Sequence, residues 1–209
     1  MKRLITEADI IKAYKSGNHI FEISKNDILT PLALDKIKTL GMSIANEVKK
    51  TKESFSTKKI KFAVGSDHTG FKLKSILINF LKDNDIEITD VGTSNEESCD
   101  YPDFAIAVAE KVKKGEVTFG LIIDATGIPS AITANKFKGI RAATCYNEFS
   151  ARSAREHNDA NIIVLGAKSV GDETNKSVLS VFIKTGFLGE RHQKRLEKIS
   201  LLEKRNFKE

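Results

Sequence analysis

Apolar residues in the second part of this chain follow two alternating rhythms. Short, nearly unbroken apolar runs cover Ile60 to Gly65, Phe119 to Ile123 and Ile162 to Leu165. Runs of that length bounded by Gly, Asp or Ser are how strands buried on both faces read. Between them the spacing changes to three and four. From Phe71 to Asp83, the residues Leu73, Ile76, Leu77, Phe80 and Leu81 share one helical face; from Phe104 to Lys114, Ala105, Val108, Ala109 and Val112 do the same. The same reading predicts strands at Glu87 to Val91 and Ile140 to Thr144. It predicts helices from Ser130 to Lys136, Glu148 to Glu156, Asp172 to Lys184 and His192 to Phe207. Alternating strands and helices predict an α/β domain with a parallel sheet covered on both faces.

The pattern is different before residue 60. Val48 to Lys59 reads VKKTKESFSTKK, polar and without periodicity, and is expected to be a linker. It separates a small N-terminal segment, 1–47, from a main domain, 59–209, with 48–58 as the connection. Within the first segment Thr6 is placed to cap a helix through Tyr14, with Asp9 three residues on as its acidic partner. Gly17-Asn18 ends it, and His19 to Ile23 reads as a strand. Thr30-Pro31 opens a second helix, which Gly41 closes before a strand at Met42 to Ile44. Fewer than fifty residues make a thin core, so this unit is expected to lean on a partner surface. No internal repeat is evident.

Composition narrows the function classes. The chain has 209 residues, 40% hydrophobic and 30% charged, with a net charge of +6. That suits a soluble globular protein with some attraction for anionic small molecules. Nucleic acid is a weaker reading, because basic and aromatic residues are not interleaved. No apolar run reaches membrane-spanning length, and the N-terminus lacks the apolar core of a signal peptide. Cys99 and Cys145 match no metal spacing. A cytoplasmic protein with reduced thiols is expected.

Candidate chemistry sits where the predicted strands end. Leu121-Ile122-Ile123 runs into Asp124, then Ala125-Thr126-Gly127-Ile128-Pro129-Ser130. Ligands in open α/β sheets bind at strand C-termini, where the next helix aims its amides. Thr126, Gly127, Ile128 and Ser130 have amides to offer an anion; Pro129 has none. Asp124 is either a general base for a proton next to a carbonyl or a cap on those same amides. Asp67-His68-Thr69-Gly70 after the first strand is either a hydroxyl- and phosphate-binding pair or a helix-capping turn. His157-Asn158 places a proton carrier beside a bifunctional amide ahead of a strand; a surface turn is the plain alternative. Arg191 and Arg195 lie four apart on one helix face, suited to a phosphate or simply to solvent.

Taken in order, the segments GSDHTGFKLK, DVGTSNEESCDYPDFA, ATGIPSAITANK, GIRAA, SAREHNDANIIVLGAK and GERHQKR resemble the RpiB/LacA/LacB sugar-phosphate isomerases. The resemblance spans about Lys59 to Arg205. It implies a flavodoxin-like three-layer sandwich with a five-stranded parallel sheet. It also implies homodimers or homotetramers with active sites at the subunit interface, and aldose–ketose isomerisation through a cis-enediolate without metal or other cofactor. By position, His157 resembles the histidine that opens the sugar ring and Asn158 its substrate-binding neighbour. Asp67 and His68 match the pair that contacts hydroxyls and phosphate, and Tyr101 the tyrosine near the sugar. Arg191 and Arg195 match the phosphate-binding arginines. Lys168 stands where many members carry arginine, keeping charge but not bidentate geometry. In the loop, many members read Cys-Gly-Thr-Gly-x-Gly with cysteine as base, and another branch places a glutamate at the position of Ser130. Asp124 is the remaining candidate base, with Thr126, Gly127, Ile128 and Ser130 lining the oxyanion side. The favoured substrate is ribose 5-phosphate, with galactose 6-phosphate or another sugar phosphate as alternatives. A binding or assembly protein with weak catalysis is a further alternative.

More faintly, LITEADI with ILTPLALDKIKTLGMSI resembles a short module on proteins of bacterial microcompartment operons. That resemblance implies docking to a shell or cargo protein. A plain extension of an oligomer interface is the other reading.

Overall fold

The computed structural model describes residues 3–17, 20–23, 27–46 and 60–207. The chain divides into two compact units, Met1–Lys58 and Lys59–Glu209. The expected linker, 48–58, lies outside the described residues.

The first unit runs strand–helix–strand twice over. β1 (Leu4–Ile5), α1 (Glu7–Lys15) and β2 (Ile20–Ile23) are followed by β3 (Ile28–Leu29), α2 (Pro31–Thr39) and β4 (Ser43–Asn46). β1 pairs with β3 and β2 with β4, both in parallel. Each helix starts at a threonine. The Thr6 hydroxyl and backbone amide both donate to Asp9 Oδ2, at 2.7 and 2.8 Å. Thr30 Oγ1 accepts from Ala33 N at 3.2 Å. Leu4-Ile5-Thr6 and Ile28-Leu29-Thr30 are equivalent, and the first sheet pairs Leu4 with Ile28 and Ile5 with Leu29. The reading of no internal repeat is thus corrected. The repeat escaped notice because strands of two residues are too short to show a period. Ile5, Ile10, Ala33, Ile37 and Met42 form its small core.

The second unit is a three-layer sandwich. Its elements are β5 (Lys61–Ser66), α3 (Phe71–Asp83), β6 (Glu87–Asp90), α4 (Tyr101–Lys113), β7 (Phe119–Asp124) and α5 (Ile128–Ala134). β8 (Ala142–Thr144), α6 (Glu148–Asn158), β9 (Ile162–Gly166), α7 (Asp172–Lys184) and α8 (Glu190–Asn206) complete it. The five strands are all parallel, in the order β6-β5-β7-β9-β8. This is the expected five-stranded, flavodoxin-like sandwich, with the last two strands exchanged relative to the sequential flavodoxin order. The chain passes from β7 to the edge strand β8, then returns to fill the gap with β9.

Strand residues alternate between two cores. Phe62, Val64, Leu121, Ile123, Ile163 and Leu165 point to the side of α3, α6 and α7. Ala63, Ile122, Ile162 and Val164 meet α4 and α5. From β5 the chain turns first to β6 and then, across β5, to β7. The crevice at this reversal, beyond the C-terminal ends of β5 and β7, is where open α/β sheets bind ligands.

Candidate active site

Two strand ends carry the same turn. Asp67-His68-Thr69-Gly70 follows β5, and Asp124-Ala125-Thr126-Gly127 closes β7. Asp67 Oδ1 accepts from Thr69 N at 2.9 Å, Thr69 Oγ1 at 2.6 Å and Gly70 N at 3.1 Å. Asp124 Oδ1 accepts from Thr126 N at 2.8 Å and from Gly127 N, while Oδ2 accepts from Ser130 N at 3.1 Å. Ile128 N instead donates to Thr126 Oγ1 at 3.3 Å. The buried carboxylate of Asp124 therefore collects the amides that were expected to face a substrate anion. This sharpens the sequence reading: within this chain Gly127 and Ser130 are donors to Asp124, and Asp124 acts as cap for its own loop.

The loop is braced from outside as well. Tyr146 Oη donates to Thr126 O at 2.9 Å and Thr144 Oγ1 to Gly127 O at 2.8 Å. Lys168 N donates to Ala125 O at 2.9 Å, which puts Lys168 beside the loop with its side chain exposed. Gly127 has φ +81°, and a Cβ there would meet Thr144 Cγ2 at 2.8 Å, so only glycine fits both the turn and the space. Pro129 falls in the first turn of α5, where its missing N–H costs nothing. The hydroxyls of Ser66 and Ser130 are fully buried with no hydrogen-bond partner among the described residues.

Beside these turns, His68 Nδ1 lies 3.2 Å from Cys99 O and accepts from Cys99 N at 3.3 Å. Tyr101 opens α4, half-buried, two residues beyond Cys99. Asp67, His68, Tyr101, Asp124, Thr126 and Lys168 thus belong to the C-terminal end of the sheet.

His157 and Asn158 do not. They form the last turn of α6, which runs two residues past the expected end, rather than a turn ahead of β9. α6 leaves the C-terminal end of β8 and descends to the N-terminal end of β9. At that lower end Arg141 Nε donates to Asn158 O at 3.0 Å and Asp159 O at 2.9 Å, and Gly120 N donates to Asn161 O. From Gly120 to Asp124 a strand advances about 13 Å at ~3.3 Å per residue. His157 and Asp124 lie at opposite ends of the sheet.

A second cluster forms around His157. Its ring stacks on His192 of α8, with centroids 4.3 Å apart and planes 8° from parallel. His157 Nδ1 lies 3.2 Å from Ser153 Oγ, and Asn158 Nδ2 donates to Ser153 O at 3.2 Å. Arg191 Nε donates to His192 Nε2 at 3.2 Å, and Arg195 Nη1 stands 3.4 Å from His192 Nδ1. Leu188 N donates to Glu156 O, tying the start of α8 to the end of α6. Burial, then His157, Arg191 and Arg195, hold the His192 imidazole below its ordinary pKa; Glu156 opposes them weakly. Sequence reasoning missed His192, although it lies between the two arginines. It also missed the shared Asp-x-Thr-Gly of the two turns, which a comparison of the two strand ends would have shown.

The sheet-end turns, with their carboxylates and hydroxyls, and the histidine–arginine cluster define a doubly wound α/β domain equipped for a small, anionic, hydroxyl-bearing substrate. A family model described as ribose/galactose isomerase matches residues 62–199. Ribose-5-phosphate isomerase B of Escherichia coli is 41% identical over 145 residues, covering 69% of this chain and 97% of that protein. The solved ribose-5-phosphate isomerase B of Clostridium thermocellum is 46% identical with a TM-score of 0.70, covering 70% of this chain and 99% of its own. That of Mycoplasma genitalium with bound ribulose-5-phosphate is 39% identical with a TM-score of 0.67, covering 69% and 97%. The chain belongs to the ribose/galactose isomerase family, and is an enzyme of the aldose–ketose isomerase class.

Proposed function

We propose that this chain interconverts ribose 5-phosphate and ribulose 5-phosphate by proton transfer through a cis-enediolate, without a metal. The observation that carries the reading is the gathering of His157, Arg191 and Arg195 into one cluster, a proton carrier beside two guanidinium groups. The similar proteins named ribose-5-phosphate isomerase B support the choice of sugar.

In this reading His157 opens the ring, and Asn158, Asp67, His68 and Tyr101 bind the hydroxyls. Arg191, Arg195 and Lys168 hold the phosphate. Asp124 Oδ2 accepts a single hydrogen bond among the described residues and keeps a lone pair for the proton moved between C1 and C2. The exposed Thr126 hydroxyl, 3.5 Å from Asp124 Oδ1, is free to turn toward the enediolate, with Ile128 N beside it. Because the two clusters occupy opposite ends of the sheet, the working site joins the sheet end of one chain to the α6–α8 end of another. Exposed Ile128, Ile132 and Phe149 supply apolar surface for such an assembly.

One observation favours a slow isomerase: Asp124 itself fills the amide cradle that an oxyanion needs. NMR of purified protein with ribose 5-phosphate tests the whole reading. Turnover is expected, with Asp124→Asn lowering kcat by roughly 10²-fold or more, the usual contribution of a general base. Absence of turnover on ribose, galactose and related sugar phosphates would sink the substrate assignment. Full activity in Asp124→Asn would leave Asp124 as a loop cap only.

The N-terminal unit is proposed as a docking module, in line with its resemblance to microcompartment-associated segments. Leu4, Ile20, Ile28 and Leu32 are exposed on it, more apolar surface than so small a unit needs. Fusing residues 1–47 to a fluorescent protein in cells that make shells tests this; diffuse fluorescence would reject it.

A further inference from the structure

Among the histidines and arginines of the helix-end cluster, His192 is the one that the proposed mechanism leaves without work. Its place is unusual for a histidine between two arginines. The residue is 7% exposed, one ring face lies flat on His157, and each ring nitrogen has a guanidinium nitrogen within 3.4 Å. A protonated imidazole has no lone pair to offer and would face two cations. The arrangement therefore holds only a neutral ring. A neutral ring has one accepting nitrogen. The shorter contact, 3.2 Å from Arg191 Nε to Nε2, takes that lone pair. Nδ1 then carries the proton, so the contact with Arg195 Nη1 at 3.4 Å is donor against donor and holds nothing.

We propose that His192 is a positioning residue with two separable duties: its lone pair fixes Arg191, and its face fixes the ring of His157. Arg195, which it does not hold, is left free to close on an arriving phosphate. This deepens the isomerase reading and rests on it for the roles of His157 and the arginines.

The geometry makes the two duties depend on different parts of one ring. The lone pair preorganises one guanidinium, which spares rotamer entropy when phosphate binds. The flat face limits the imidazole of His157 to one plane, supported on its edge by Ser153 Oγ 3.2 Å from Nδ1. The titratable and charged groups that face His192 are His157 and Glu156 from α6 and Arg191 and Arg195 from α8. Burial and the neighbouring His157, Arg191 and Arg195 all act to keep the ring neutral, which agrees with the hydrogen-bond argument.

Two variants separate the duties. His192→Phe keeps a flat face and removes the lone pair. His192→Asn keeps an accepting oxygen and removes the ring. In steady-state assays with ribose 5-phosphate, His192→Phe is expected to raise KM roughly tenfold with kcat nearly unchanged, and His192→Asn to lower kcat roughly tenfold with KM nearly unchanged. Calorimetry with inorganic phosphate gives the readout that does not need turnover. His192→Phe is expected to weaken binding roughly tenfold, and His192→Asn to leave it near wild type. Equal losses of kcat and KM in both variants, or phosphate affinity unmoved by His192→Phe, would overturn the proposal. Wild-type protein that binds phosphate with this difference between variants but turns over no sugar phosphate would remove the isomerase reading and leave the positioning of Arg191 standing.

Discussion

At the scale of single residues, burial divides groups that look alike in the sequence. The two cysteines are the clearest pair. Cys145 is 1% exposed, and burial pushes its thiol up to about 11, with the nearby Ser150 opposing weakly. Cys99 is half-buried at the mouth of the sheet-end site, with Sγ 3.9 Å from His68 Nδ1. Since the thiolate is the nucleophile, iodoacetamide at neutral pH is expected to modify Cys99 and leave Cys145 intact in the folded protein. Peptide mass spectrometry reads this directly, and labelling of Cys145 at a rate like that of Cys99 would contradict the packing described. If a sugar phosphate occupies the site, its presence is expected to slow the modification of Cys99. His192 has a pH consequence of its own. Its folded-state pKa lies below the unfolded value, so the unfolded chain takes up the proton first. Its neutral burial favours folding above about pH 6.5, and that contribution fades as pH falls through the unfolded value toward the lower folded one. Melting curves from pH 7.5 to 5 are expected to show a smaller acid-side loss in His192→Phe than in wild type.

At the scale of elements, the end of α6 is the piece on which the proposed role of His157 depends most. Arg155 is buried with its guanidinium 4.7 Å from the Phe119 ring and 5.5 Å from the Phe182 ring. Its Nη1 donates to Asp159 Oδ1 at 2.8 Å and Ala160 O at 2.7 Å, and Nε to Thr185 O at 3.3 Å. Asp159 ends the helix in the left-handed region, φ +42°, and is held there by Arg155 and Arg141 together. Removing the buried cation leaves Asp159 half-paired and opens a void between two phenyl rings. Arg155→Ala is therefore expected to cost about 3–5 kcal/mol of stability by denaturant titration, with loss of the His157 site before the sheet-end site. A loss below about 1 kcal/mol would mean that the cluster is decorative.

The order of these elements was legible from periodicity because the three central strands, β5, β7 and β9, are buried on both faces and the helices on one. The two-residue strands β1 and β3 were not legible, since nothing shorter than a period shows one. Nor was the exchange of β8 and β9, because strand neighbours are set by packing in space and not by order along the chain. In the site, Asp67, Asp124, His157 and the arginines stood out by residue type and position. What Asp124 binds did not, because a carboxylate that caps its own loop and one that awaits a substrate are spelled the same way.

At the scale of the whole molecule, the proposed mechanism needs both clusters, and their separation then decides what an active unit is. Asp124 sits at the C-terminal end of β7, and His157 at the foot of α6 beside the N-terminal ends of β7, β8 and β9. No rotamer change bridges a gap of about 13 Å along the sheet. A two-fold axis would bring the top of one domain to the foot of another and, by the same operation, the reverse, giving two equal sites per pair. The consequence is complementation between dead variants. Asp124→Asn and His157→Gln, each purified alone, are expected to have little activity. When they are unfolded together and refolded as a mixture, half of the pairs are mixed. Each mixed pair has one site carrying both substitutions and one site carrying neither. Activity is then expected to recover to about a quarter of that of the wild type at equal total protein, the product of one half and one half. A site contained within one chain predicts no recovery at any mixing ratio. The dependence on ratio adds a second check, because recovery must peak at equal amounts and fall symmetrically on either side.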